Sequence, residues 1–141
     1  VEKNIFNREY KVSLLEYHYY KTSVILSSAF TTIVFRKYFY NYINKYLNSS
    51  SFQKEKINIF CKRILQKTKK IFSVMSCRGI ARISFFFNRE YVLYNEINTL
   101  PGFAERSIYS TLLHKINITN IEVVDILINN VLKFIFIKNK Y

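Results

Sequence analysis

Between residues 52 and 98, consecutive segments of the chain each restrict the geometry they can take up. In Phe52–Met75, the residues Ile57, Phe60, Cys61, Ile64, Leu65, Thr68 and Ile71 recur at i, i+3, i+4 and i+7, and lysines with Gln66 fill the other face. That period predicts a helix with one apolar stripe, and a one-sided stripe needs an apolar surface to lie on, which a sheet supplies. The break Asn48-Ser49-Ser50-Ser51 just before it offers capping side chains. Directly afterwards come two β-rich runs, Gly79–Phe87 (GIARISFFF) and Tyr91–Asn98 (YVLYNEIN), around the polar turn Asn88-Arg89-Glu90. They predict an antiparallel hairpin.

The flanking segments extend this picture. Glu9–Glu16 alternates as a strand does, and the β-branched, aromatic stretch Thr22–Phe35 reads as one or two more strands. Tyr38–Leu47 (YFYNYINKYL) reads as a partly ordered loop. Ser107 is placed to cap a short helix, and Thr119 or Asn120 to cap a last one, Ile121–Ile137. Glu122, Asp125 and Lys133 interrupt that final apolar run, so it reads as a packed helix. Val24–Phe35, cut by Ser and Thr, is shorter than the ~20 residues a membrane helix needs. The expectation is α+β: one domain over residues 1–141, a mainly antiparallel sheet packed against helices.

A net charge of +13 admits a nucleic-acid or acidic-membrane binder. The lysines are scattered, however, and the abundant Lys, Asn, Ile, Phe and Tyr all have A/T-rich codons, so base composition is the better account of the charge. Cys61 and Cys77 show no metal-ligand spacing and read as reduced thiols of a cytoplasmic protein. No secretory signal is present, and a start at Val1 fits a fragment.

The segment that bears chemistry is the hairpin with the loop that follows it. Alternate residues of a strand share a face, so Glu96 and Asn98 point the same way, and Arg82 with Ser84 can face the same cleft from the neighbouring strand. A carboxylate beside an amide carbonyl is an all-oxygen pair. It suits Mg²⁺, which takes one or two protein ligands and completes its octahedron with phosphate oxygens and water. From spacing alone, a solvated Glu and a turn-forming Asn describe the pair better.

Asn95-Glu96-Ile97-Asn98-Thr99-Leu100-Pro101-Gly102-Phe103 (NEINTLPGF) resembles the C-terminal signature of the D-alanine–D-alanine ligases, which are ATP-grasp enzymes. Further ordered likenesses accompany it. GIARISFF (residues 79–86) is similar to the family's Arg-x-Asp strand, and Ser107-Ile108-Tyr109 to its Ser-Met-Tyr. Val124-Asp125-Ile126-Leu127-Ile128 falls in its last helix, Val1-Glu2-Lys3 with Arg8-Glu9 in its hinge strand, and Tyr40-Asn41-Tyr42 with Lys45-Tyr46-Leu47 in its Tyr-Asp-Tyr…Lys-Tyr loop.

The resemblance implies the C-terminal part of an ATP-grasp fold, with ATP and Mg²⁺ (or Mn²⁺) as cofactors and D-alanine as substrate. ATP would phosphorylate one D-alanine carboxylate, and the amine of a second would displace phosphate, for peptidoglycan synthesis. Glu2 and Lys3, with the backbone near Ile5, would meet the adenine, and Glu9 would accept from the ribose hydroxyls. Lys45 would close over the phosphates, and Arg82 would steady the developing charge. Glu96 and Asn98 would hold the metal. Gly102, Ser107 and Ile108 would lie beside the second D-alanine. His18 and His114 match nothing in the family and read as non-catalytic.

Three departures stand out. Ser84 takes the place of a metal-binding Asp, Leu26-Ser27-Ser28-Ala29-Phe30 replaces a Gly-Glu-Ile element, and Ala104 replaces a Thr. The family's N-terminal domain and its central phosphate-gripping region match nothing in the chain. Weak or no activity is therefore expected from the chain alone, with a separate N-terminal ligase fragment as a possible partner. A basic nucleic-acid-binding module and a catalytically dead remnant are the alternative readings.

Overall fold

The computed structural model of the protein describes residues 8–19, 22–27, 31–34, 52–54, 59–87 and 92–138. The strands are β1 (Arg8–Tyr19), β2 (Thr22–Ser27), β3 (Thr31–Val34), β4 (Phe52–Lys54), β5 (Ile80–Phe87) and β6 (Val92–Asn98). The helices are α1 (Ile59–Val74), α2 (Ile108–His114) and α3 (Asn120–Lys138). The strands form one sheet in the order β4-β3-β1-β5-β6, with β2 also on β1, and every pairing is antiparallel. The α+β expectation holds, as does the hairpin.

Alternation along β1 gives the sheet two unlike faces. Tyr10, Val12 and Leu14 stand on one, opposite Phe85, Ile83 and Ala81 of β5. This face is dry because α1 lies across it with Ile64, Thr68 and Phe72 buried and Leu65 and Ile71 at the margin. Thr68 fits there because its hydroxyl donates back to the Ile64 carbonyl at 2.7 Å. The helix ends in paired reverse bonds, Cys77 N–H to the Phe72 carbonyl and Ser76 N–H to the Ser73 carbonyl, with Ser76 at φ 51°. That is a Schellman stop with serine where glycine is usual. The helix begins later than the stripe suggested, because Phe52–Lys54 is strand β4 on β3.

The second face carries Glu9, Lys11, Ser13 and Leu15. Its Leu15 end is closed by α2 and α3, where Leu15, Ile80, Tyr109, Leu113 and Val123 form a second apolar cluster. Tyr109 ties α2 to the sheet, its buried hydroxyl donating to the Leu14 carbonyl at 2.9 Å. Thr119 caps α3 in a reciprocal box with Glu122. The Thr119 N–H donates to the Glu122 carboxylate at 2.7 Å, and the Glu122 N–H donates to the Thr119 hydroxyl at 3.2 Å. The Thr119 backbone bond, then its hydroxyl, lowers the Glu122 carboxyl below the usual range.

Further along, β1 outruns β5, and α3 serves its open edge. The Asn130 amide donates to the Glu16 carbonyl at 2.7 Å and accepts from the His18 N–H at 3.1 Å. The Lys133 ammonium donates to the His18 carbonyl at 2.7 Å. The reading of α3 as a packed helix needs correction: of its residues only Val123 is fully buried. Ile121, Val124, Ile128, Val131, Leu132 and the run Phe134–Ile137 are exposed. Among the described residues no helix is long and apolar enough to cross a membrane. Cys77 is a free, half-buried thiol whose pKa burial raises.

Gly79 is where β1, the hairpin and α3 meet. Its N–H donates to the Glu16 carboxylate at 2.9 Å and its carbonyl accepts from the Glu16 N–H at 2.6 Å. Its φ is +70°, and a Cβ there would come within 2.9 Å of Leu127 Cδ2. Gly79→Ala is therefore expected to lower stability by about 1–3 kcal/mol in urea unfolding at constant m-value. Unchanged stability would show that Leu127 and the backbone yield freely.

Tyr109 makes a second prediction. Burial raises its phenol far above the ordinary value, so its share of stability is complete below about pH 10 and is lost as the unfolded chain ionises above it. Tyr109→Phe should cost about 1 kcal/mol at neutral pH and make the alkaline fall in stability shallower. Parallel alkaline curves for the two proteins would contradict this.

Candidate functional site

On the second face, the strand register sets polar side chains in rows. Lys11 of β1 stands opposite Ser84 of β5, and Ser84 opposite Glu96 of β6. One row along, Ser13 stands opposite Arg82, and Arg82 opposite Asn98. Glu9 occupies the row before, opposite Phe86. The face thus runs from a carboxylate, through two mixed rows, to the apolar cluster under α2.

Each group has definite partners. The Lys11 ammonium lies 2.8 Å from the Glu9 carboxylate, and both side chains are 7% exposed. A guanidinium nitrogen of Arg82 lies 3.8 Å from the Glu96 carboxylate, with the Arg82 side chain 13% and the Glu96 side chain 55% exposed. The Arg82 Nε is buried without a hydrogen-bond partner. Ser84 is buried, and its hydroxyl accepts from the Asn95 amide at 3.1 Å. Asn95 reaches it because the hairpin carries a bulge. Ser84 pairs with Glu96 and Phe85 with Tyr94, which leaves Asn95 as the extra residue. The Asn98 amide oxygen accepts from the Leu100 N–H at 3.0 Å, the turn-forming role that spacing favoured. A carbonyl oxygen has two lone pairs, so one is left for a cation.

Sequence reasoning brought Glu9, Arg82, Ser84, Glu96 and Asn98 to one cleft, and the register sets them on one face. Gly102 is exposed, and a Cβ on it would meet Ser107 Cβ at 3.8 Å, an ordinary contact. Packing within the chain therefore does not demand glycine there. Ser107 caps α2, accepting from the Ser110 N–H at 3.2 Å. Ile108 is buried, so its side chain belongs to the core. Glu2, Lys3, Ile5 and Lys45 lie outside the described residues. Three polar residues of this face, Lys11, Ser13 and Asn95, escaped the sequence reading. Lys11 was legible by parity, two positions from Glu9, whereas Asn95 was not, because the bulge breaks the alternation that would have located it.

A cavity of about 270 Å³ opens on the other side of the sheet, lined by Lys67, Lys70, Ile71, Phe85, Val92 and Tyr94. It does not join the polar face. Among the described residues no three His, Cys, Asp or Glu side chains gather as a metal cluster.

An antiparallel sheet with one helix across its dry face, and a polar face bordered by two more helices at one end, is the architecture of the C-terminal part of an ATP-grasp fold, and solved structures agree. A D-alanine–D-alanine ligase from Bacillus anthracis superposes with a TM-score of 0.71 at 19% identity, over 94% of this chain and 42% of that one. The same enzyme complexed with ATP superposes at 0.67 and 17% identity, over 94% and 40%. D-alanyl-alanine synthetase A from Vibrio cholerae superposes at 0.62 and 26%, over 87% and 38%.

The chain belongs to the family described as D-ala D-ala ligase C-terminus, which matches residues 1–129. Among curated relatives, the D-alanine–D-alanine ligase of Legionella pneumophila (strain Lens) is 38% identical over 97 residues, 64% of this chain and 27% of that protein. The ligase of Wigglesworthia glossinidia brevipalpis is 37% identical over 123 residues, 82% of this chain and 33% of that protein. The chain spans about a third of the length of these relatives.

Proposed function

We propose that the chain supplies the nucleotide- and metal-facing part of a D-alanine–D-alanine ligase, acting in the cytoplasm on ATP and D-alanine. The observation that carries this reading is the row arrangement of the second face. A guanidinium and a carboxylate lie 3.8 Å apart beside an amide oxygen, toward one end of a polar face whose other end holds the Glu9 carboxylate. Family membership supports it and displaces the alternative of a nucleic-acid-binding module.

The donor set was weighed against a hard divalent cation. Glu96 is half-exposed and Asn98 keeps a lone pair, so the two offer two oxygens on one face. That fits one Mg²⁺ (or Mn²⁺), with phosphate oxygens and water completing the shell. Ser84 adds little, being neutral and engaged by Asn95. A bound divalent ion would screen phosphate charge and polarise the transferring group.

The chain's own residues have separable tasks. The Arg82 guanidinium, largely buried and beside Glu96, needs little reorganisation as negative charge grows on the phosphoryl group or the tetrahedral carbon. Glu9 offers its carboxylate to the ribose hydroxyls. Glu2, Lys3 and the backbone at Ile5 would hold the adenine, and Lys45 would close on the phosphates. Gly102, Ser107 and the Ile108 backbone would border the second D-alanine. The first D-alanine and the remaining phosphate contacts fall to the two thirds of a ligase that the chain does not span, so that part, in the same or a separate polypeptide, is the required partner.

The test joins this chain behind the N-terminal and central parts of the Legionella relative and measures D-alanine-dependent phosphate release. Release is expected, with Glu96→Gln lowering kcat/KM about 100-fold or more. A folded chimera that releases no phosphate, or a Glu96→Gln variant as active as its parent, would sink the reading.

A further inference from the structure

We propose that Lys11 is a phosphate-binding residue: paired with Arg82, its ammonium holds the phosphates of a nucleotide on the second face without a divalent ion on the Ser84 side. The inference rests on the nucleotide-binding reading given above and names a residue and a metal requirement that reading leaves open.

Position comes first. Lys11 shares its row with Ser84 and Glu96, and Arg82 is the next residue of β5 on the same face. Diagonal neighbours on adjacent antiparallel strands are roughly 7–8 Å apart. Two long cationic side chains so spaced can reach one polyphosphate chain. Glu9 fixes the direction of the ammonium at 2.8 Å.

Burial comes next. Lysines are almost never so enclosed unless paired, and a buried ion pair adds little net stability, because desolvation offsets the attraction. A pair of this kind on a core face would be a poor stabilising choice. Beside the nucleotide, the pair places an ammonium of fixed direction within reach of a phosphate, and low water content strengthens the attraction. The guanidinium adds a buried Nε with no hydrogen-bond partner and a loose 3.8 Å contact to Glu96.

Charge balance settles which ligand the Ser84 side takes. Glu9 is already matched by Lys11 at 2.8 Å, and the Ser84 hydroxyl is neutral and bonded to Asn95. No carboxylate is left on that side for a divalent ion, so the cation there is the ammonium itself. The Glu96–Asn98 side keeps its two oxygens.

The experiment titrates the full chain with ATP, and separately with inorganic tripolyphosphate, in EDTA and in excess magnesium, by calorimetry. The chain should bind both probes in EDTA, and Lys11→Met should weaken that binding about tenfold, the scale of one charge-assisted contact. Ser84→Asp, which keeps Lys11 and places a carboxylate opposite it, should weaken binding in EDTA and make ATP binding depend on magnesium. It decides the matter if Lys11→Met fails to fold. ATP binding that vanishes in EDTA, or that is as tight in a folded Lys11→Met chain, overturns the role of Lys11 and leaves the nucleotide reading standing. Tripolyphosphate binding that needs Lys11, with ATP bound no more tightly, upholds Lys11 and defeats the adenine site. Binding of neither probe overturns both.

Discussion

Strand β1 is bonded along both edges, to β5 on one side and to β3 and β2 on the other, and nearly everything else is positioned from its alternation. Tyr10, Val12 and Leu14 need a dry partner, whereas Glu9, Lys11 and Ser13 need polar ones. A slip of one residue against β5 would drive Lys11 and Glu9 into the layer held by Ile64 and Phe72 and lift Val12 into the cleft. The cost of burying those charges makes the register effectively unique. The rows that bring Arg82, Ser84, Glu96 and Asn98 together are a consequence of it.

The two ends of the polar face are kept in place by different means. At the Leu15 end, α2 and α3 pack on apolar surface, while Tyr109 bonds the Leu14 carbonyl and Asn130 and Lys133 satisfy backbone groups of β1 beyond its ladder with β5. At the other end side-chain charges do the holding, Glu9 with Lys11, and between the two ends Arg82 stands beside Glu96. A polar face with a dry rim at one end and paired charges at the other has little freedom to rearrange. That preorganisation is what electrostatic catalysis requires.

Elements whose surroundings are one-sided were legible in the sequence. The α1 stripe and the hairpin were read correctly because each has a single buried face and a period that matches it. The start of α1 was misjudged because Phe52–Lys54, an aromatic and two polar residues, carries no period of its own and is drawn into β4 by pairing with β3. The burial of α3 was misjudged for the opposite reason. Apolar residues lie nearly all round that helix, so its pattern does not say which side meets the sheet, and the sheet covers only the Val123 side. In the site, parity located Arg82, Ser84, Glu96 and Asn98 on one face, and the family resemblance added Glu9. Parity could not locate Asn95, since a bulge is a tertiary event.

Ser84 and Lys11 are coupled through their charges. They face each other across the β1–β5 ladder, at the distance where opposite charges on paired strands attract. An aspartate at 84 would compete with Glu9 for the ammonium, and the ammonium would compete with any divalent ion for the aspartate. Neither group could then serve a phosphate well. With serine at 84, Lys11 stays with Glu9, Asn95 occupies the hydroxyl, and the ammonium keeps its direction on that side of the polar face. The missing carboxylate therefore need not mark a broken site. Beside a lysine in that row, it is the arrangement in which the remaining charges do not oppose one another.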